Sequence, residues 1–485
     1  MLTINIDTRL MIPMYEQIYN YIKKEIQSGN LPFHTKLPST RSLAVNLQVS
    51  RNTVDMAYSQ LVSEGYIESV PKSGYYVCTI SDLTHITVNR TGLNQLPTKA
   101  KALFHFDFSP FVIDINSFPY NIWRKLSKNC MNDNNNNLFL LGNNQGDENL
   151  RIAITRYLHE SRGVNCRTEQ IIIGAGADYL LQLLSQILQY IKFGTVSTDS
   201  SYESTIAMEN PTYKQAYKIF TGMHFNAVPI DLDQNGINVY HLSESNANIV
   251  YVTPSHQYPL GIVMPIKRRL ELLQWANVSP NRYIIEDDHD SEFRYKGKPI
   301  PALQGIDSSG KVIYIGTFSR AVAPAIRIGY MVLPENLLEI YRKNLYYYSS
   351  TVSRVDQNIM QNFIKEGYFE RHLNKMRKIY KNKHDLLIQS LKIFKNKIQI
   401  EGENAGLHLV LRFPTITSEK VIIELAAKKS IKLYGLSEHY IISIEAQNIM
   451  SQSTPPTILL GYANVPEQDI RDGITALYES LKCYL

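Results

Sequence analysis

Val312-Ile313-Tyr314-Ile315-Gly316-Thr317-Phe318-Ser319-Arg320 is a β-type apolar run that ends in two hydroxyls and a guanidinium, with Pro324 and Arg327 close behind. From Asp107 onward such runs alternate with helical spacing, which is the pattern of an α/β domain built on a largely parallel sheet. In that architecture ligands sit at the C-terminal ends of the strands. Thr317, Ser319 and Arg327 then form a cup suited to an anion, held by charge-assisted hydrogen bonds.

Three upstream runs repeat the pattern. Ile171-Ile172-Ile173 leads into Gly174-Ala175-Gly176-Ala177-Asp178, after which Tyr179, Leu180, Leu183 and Leu184 restart helical spacing. The free amides of Ala177 and Asp178 at that helix start suit a phosphate. The absence of a third glycine excludes a dinucleotide-binding fingerprint. Ile249-Val250-Tyr251-Val252 delivers Thr253 to Gly261, and Tyr283-Ile284-Ile285 delivers Glu286-Asp287-Asp288-His289-Asp290. Neighbouring strand residues point to opposite faces, so this acidic cluster is not expected to converge on a metal. One buried carboxylate facing a ring nitrogen is the preferred use.

The first eighty residues read differently. Ile18, Ile22 and Ile26 recur every fourth residue and give one amphipathic helix, stopped by Ser28-Gly29-Asn30-Leu31-Pro32. Ser39 caps a second helix with Leu43, Ala44 and Leu47 inward. Ser50 caps a third, with Val54, Ala57, Tyr58, Leu61 and Val62 inward and Gly65 as its stop. Tyr66–Val70 and Tyr75–Val77, around Pro71-Lys72-Ser73-Gly74, form a hairpin that would be a wing. In such a helix-turn-helix the start of the recognition helix meets base edges, so Arg51, Asn52 and Thr53 are the candidate readers, with Ser50 on a phosphate. Ser39, Thr40 and Arg41 lie beside the DNA backbone, and Lys72 tips the wing. A single winged helix covers too little DNA for tight specific binding, so a homodimer on a double-stranded operator is expected.

The chain has 485 residues, too many for one hydrophobic core, and its formal charge of +6 is too diluted to identify a partner without regard to position. No apolar run is long enough to cross a membrane, and no membrane partner is expected. Cys78, Cys130, Cys166 and Cys483 form no Cys-x-x-Cys pair, which excludes a zinc ribbon and fits a reducing cytoplasm. The domains are expected at 1–78 and 105–485, with 79–104 as a connector. The run Asn132-Asp133-Asn134-Asn135-Asn136-Asn137 is expected as a surface loop.

Two resemblances extend this reading. The stretch 37–44, with Val49–Val54 and Leu61–Ile67, resembles the GntR winged-helix family. Glu209–Tyr213, Thr253–Gly261, Glu286–Tyr295, Tyr314–Ser319 and Arg327–Tyr330, taken in order, resemble the MocR/GabR-type regulators, and the likeness spans the chain. It implies a GntR winged helix joined to a fold-type I aminotransferase-like domain, with a smaller C-terminal α+β subdomain, that binds pyridoxal 5'-phosphate. By resemblance, Tyr213 would stack on the pyridine ring, Asp287 would pair with its nitrogen, and Ser319, Arg327 and the Ala177 and Asp178 amides would hold the phosphate. Thr317, His289 and Arg320 complete the expected cofactor set.

The sequence departs from that family where it matters chemically. The residue after Ser319 should be the lysine that bonds covalently to the cofactor, and it is Arg320. A guanidinium offers no nucleophilic amine at neutral pH, so covalent attachment and transamination are not expected. His289 stands where relatives carry a tyrosine, Gln215 stands at a position that is basic in relatives, and Thr457–Tyr462 offers no carboxylate-catching arginine. Arg320 is either natural drift or an introduced block. A regulator sensing pyridoxal phosphate or a related small-molecule effector without a covalent bond is the leading reading. An active aminotransferase with a DNA-binding head and a ligand-free DNA-binding dimer are the alternatives.

Overall fold

A computed structural model of the chain describes residues 4–7, 12–79, 104–191, 204–295, 297, 300–416, 418–441 and 455–485. Contacts divide the chain into two units, Met1–Lys101 and Ala102–Leu485. The connector expected at 79–104 lies outside the described residues except at its two ends.

The first unit runs α1 (Met14–Gln27), β1 (Lys36–Leu37), α2 (Thr40–Leu47), α3 (Arg51–Ser63), β2 (Ile67–Val70) and β3 (Gly74–Val77). Ile18, Ile22 and Ile26 of α1 pack on Leu43 and Ala44 of α2 and on Val54, Ala57, Tyr58 and Leu61 of α3. Ser39 Oγ accepts from the Ser42 amide and Ser50 Oγ from the Thr53 amide, each at 3.1 Å, which starts the second and third helices where their sequence predicts. Gly65, at φ 76°, ends α3. Val62 was expected inward and is exposed; it stands about 90° from the middle of the buried stripe of α3. The sheet order is β1-β3-β2, so the hairpin gains a strand, β1, that no periodicity announces.

In the second unit, eight of the described strands form one sheet in the order Ile171–Gly174, Gly329–Val332, Val312–Thr317, Tyr283–Asp287, Ile249–Val252, Thr205–Asn210, Asn226–Asp233, Gly236–Ile237. Val312–Thr317 runs parallel to Tyr283–Asp287, and that strand to Ile249–Val252; Gly329–Val332 is antiparallel to both of its neighbours. Alternate residues of Val312–Thr317 enter different cores. Ile313 and Ile315 pack with Leu180 and Leu184 of the helix Ala177–Gln189, while Tyr314 packs with Ile154 and Leu158 of the helix Glu148–Arg162. Burial on both faces explains the unbroken apolar runs. The C-terminal part is a smaller α+β body. Its antiparallel sheet orders Gln399–Glu401, His408–Arg412, Thr457–Gly461 and Tyr434–Gly435. Leu387, Ile422 and Leu477 cover it from three helices. The asparagine run is no plain loop: Asp133–Phe139 forms 3-10 turns, and Asn135 Nδ2 donates to the Cys130 carbonyl at 2.9 Å. Among the described residues no helix is long and apolar enough to cross a membrane.

Candidate functional site

The C-terminal rim of the parallel strands and the start of the helix Ala177–Gln189 enclose a cleft of about 260 Å³. Ala177, Asp178, Tyr213, Asp287, His289, Thr317, Ser319, Arg320 and Arg327, separated widely in sequence, all line it. Sequence reasoning missed Phe111, Tyr251 and Tyr258, which line it too.

At one end, Arg327 Nη2 donates to Asp178 Oδ2 at 2.8 Å and to the Ala175 carbonyl at 3.1 Å. The guanidinium lies over Gly176, where a Cβ would sit 2.7 Å from Nη2 and the backbone has φ +84°. Glycine is therefore required twice over, by close approach and by backbone conformation. The adjacent helix start leaves amides free toward the same end. Thr317 and Ser319, at and just beyond their strand end, line the cleft with hydroxyls.

Asp287 is buried and accepts from the Tyr251 hydroxyl. Burial pushes its carboxyl above the usual range, opposed by the Tyr251 hydrogen bond. A cation facing it would restore its charge. Asp288 points the other way, where Arg162 grips it through Nε at 2.8 Å and Nη2 at 3.0 Å while also donating to Ser255 Oγ at 2.7 Å. Tyr213, which precedes the helix Lys214–Gly222, meets Tyr258 edge-on at 6.0 Å. Burial pushes its hydroxyl up to about 12, so it is neutral. Tyr258 is 1% exposed, and its hydroxyl has no hydrogen-bond partner among the described residues. Its amide donates to Thr253 Oγ1 at 3.0 Å, and that hydroxyl donates to buried Glu209 at 3.0 Å. Arg320 Nη1 donates to the Pro110 carbonyl at 2.8 Å.

The acidic cluster behaves only partly as strand alternation predicts. Asp287 and Asp288 do diverge, but Asp290 lies past the strand end, at φ 48°, where alternation no longer applies. Its Oδ1 meets His256 Nδ1 at 2.8 Å and lies 3.4 Å from His289 Nδ1. One possible ligand atom from each of the three residues falls within 4.8 Å of the others. Burial opposes the charge of Asp290, yet the two imidazoles hold its carboxyl well below the ordinary range. The direct hydrogen bond between His256 Nδ1 and Asp290 Oδ1 accounts for the arrangement of those two side chains. Gly406 allows it, since a Cβ there would fall 2.1 Å from His256 Cε1.

In the first unit Ser39, Arg41, Ser50, Arg51, Asn52 and Lys72 are exposed and Thr53 is half-buried. Thr40 is only 7% exposed, because it shares the inner stripe of α2 with Leu43 and Ala44. Its hydroxyl has little surface to offer a phosphate. Arg51 Nε lies 3.4 Å from Asp55 with its side chain 68% exposed. Lys72, at φ 64°, occupies the turn between β2 and β3.

Residues 14–77 match the family of bacterial regulatory proteins of the gntR family, and residues 114–477 match aminotransferase class I and II. The chain is 39% identical to the HTH-type transcriptional regulator YdeL of Bacillus subtilis, over 98% of both chains. It is 31% identical to the probable rhizopine catabolism regulatory protein MocR of Rhizobium meliloti, over 96% of this chain and 93% of that one. Among solved structures, the multiple substrate aminotransferase from Thermococcus profundus covers 79% of this chain and 93% of its own, with a TM-score of 0.66 and 23% identity.

Proposed function

The chain belongs to the MocR-type transcription regulators, with a GntR DNA-binding head and an aminotransferase class I and II body, and from that membership we propose that the body dimerises the protein and senses pyridoxal phosphate, or a ligand built on it, without a covalent bond. Proteins with this body generally bind pyridoxal phosphate. We assign the DNA-binding domain to 1–78, the connector to 79–104 and the sensing body to 105–485.

The residues of the cleft fit that cofactor. The single observation that carries the reading is the juxtaposition, in one small cleft, of Arg327 over Gly176 beside free helix amides and of buried Asp287 facing the same space. Arg327, Ser319, Thr317 and the Ala177 and Asp178 amides would hold the phosphate, with Arg327 moving from Asp178 to the incoming dianion. Asp287 would hold a proton on the ring nitrogen, Tyr213 would lie against the ring, and His289 would face its substituents. The cofactor, when bound, supplies an electrophilic aldehyde to amines. On this reading Arg320 stands where the covalent lysine of the fold would be, and its guanidinium cannot take that part.

Ligand-dependent control follows if the cofactor or its adducts bind two arrangements of the dimer with different affinity. The test is to mix the purified protein with pyridoxal phosphate, follow its thermal midpoint, and determine the intact mass after borohydride. Binding at one hundred times Kd adds about 2.7 kcal/mol of stability. A raised midpoint with unchanged polypeptide mass is expected. An unchanged midpoint, or permanent addition of the reduced cofactor, would contradict the proposal.

A further inference from the structure

Within the cleft, every carboxylate singled out above already has a partner. Asp178 pairs with Arg327, Asp287 accepts from Tyr251, and Asp290 faces His256. Arg320 is different. Among the described residues no carboxylate lies within ion-pair distance of its guanidinium, and one bond to the Pro110 carbonyl, at 2.8 Å, uses only one of its five donors. Beside it in the same cleft is Tyr258, almost fully buried, whose hydroxyl is unpartnered. Burial keeps that hydroxyl protonated, and Arg320 is the foremost charge acting on it after burial. A buried hydroxyl without a partner is costly, so the site is short of an acceptor.

Resting on the reading above, we propose that Arg320 and Tyr258 form a carboxylate subsite, and that the preferred ligand of this cleft is a pyridoxyl phosphate already joined to an amino acid rather than the free cofactor. The complement of a guanidinium beside a phenol is a group with two acceptor oxygens and a negative charge, which a carboxylate supplies. Arg327 and the helix start, which line the same cleft, are left for the phosphate. Such a ligand carries both a carboxylate and a phosphate, and nothing covalent is required of the protein. The side chain of the amino acid would extend past Phe111, which lines the cleft and is 43% exposed.

The test compares three probes on the full-length protein by calorimetric titration: pyridoxal phosphate, N-(5'-phosphopyridoxyl)-L-leucine, and N-(5'-phosphopyridoxyl)-isoamylamine. The last two differ only in the carboxylate, and both are stable secondary amines. The expected result is that the leucine adduct binds at least about tenfold more tightly than the isoamylamine adduct, as for one charge-assisted contact. In Arg320→Gln the preference should fall to roughly twofold or less while the isoamylamine adduct still binds; Tyr258→Phe should lose part of it. The wild-type comparison needs no variant. Equal affinity of the two adducts for the unaltered protein, or a preference that survives in Arg320→Gln, overturns the subsite alone. Failure of all three probes to bind overturns the cofactor seat as well.

Discussion

Arg51 opens α3 with its guanidinium largely in solvent, tethered only loosely to Asp55 at 3.4 Å. Such an exposed pair contributes little to stability, so the side chain is free to leave Asp55 for a base edge. On the proposed reading Arg51→Ala costs roughly 1–3 kcal/mol in operator affinity and relaxes sequence preference, measured by fluorescence anisotropy on matched and mismatched duplexes. On the same reading Lys72 should behave differently, since a wing-tip ammonium would meet phosphate. Lys72→Ala should weaken all duplexes alike and reduce the slope of log affinity against log salt by about 1. An Arg51→Ala protein that retains full affinity and selectivity would remove the recognition-helix assignment. In the cleft, Arg320→Lys should gain a borohydride-stable mass increment of one pyridoxyl phosphate. A lysine that stays unmodified there would place Arg320 away from the cofactor's aldehyde.

At the scale of elements, the cleft depends on a buried bond between distant segments. Arg162 ends the helix Glu148–Arg162, and Asp288 follows the strand Tyr283–Asp287. The two side chains are each 4% exposed, and Arg162 also holds Ser255 in the loop that carries His256 and Tyr258. Truncating one partner leaves an uncompensated buried charge, so Arg162→Ala should destabilise the larger unit by about 3–5 kcal/mol in denaturant unfolding. A loss below about 1 kcal/mol would mean that the pair is not closed in solution. This bond also marks a limit of what could be read in the sequence. The strands were legible because Ile171–Ile173, Ile249–Val252 and Val312–Gly316 are apolar on both faces. The helices of the head were legible because Ser39 and Ser50 precede periodic runs. The two-residue β1 has no period to detect. The pairings of Arg162 with Asp288 and of His256 with Asp290 join segments 126 and 34 residues apart, which no local rule reports. Tyr258 lies within the polar stretch Thr253–Gly261. Its one sequence signal is an aromatic ring directly after the cluster Thr253-Pro254-Ser255-His256-Gln257 at a strand end.

For the whole molecule, two buried histidines set a pH window. Burial pushes His408 down to about 3, with the charge of His256 adding to the effect, and pushes His439 down to about 4. The unfolded chain protonates both near pH 6.5. Below that value it binds protons that the folded chain refuses, so the stability these two rings contribute is complete above about 6.5 and falls as pH drops toward the folded values. Each group contributes up to about 1.4 kcal/mol per pH unit in that range. Buried Glu209, Glu286 and Glu292, pushed up to about 7, act in the opposite direction over the same range, so the histidine contribution is read as a difference. The thermal midpoint of His408→Gln, relative to the unaltered protein, should rise from pH 7 to pH 5; a difference independent of pH over that range would contradict the burial of a neutral His408. The proposed function, in turn, joins the two units: a ligand in the larger one alters DNA binding by the smaller one. The direct measurement is the affinity for a duplex selected by the protein from random sequences, followed at fixed salt through a titration with pyridoxal phosphate and then with its leucine adduct. A saturating change in the dissociation constant with at least one of the two, in a protein whose mass is unchanged after borohydride, is the predicted result. An affinity for that duplex that neither ligand moves, although both occupy the cleft, would contradict it.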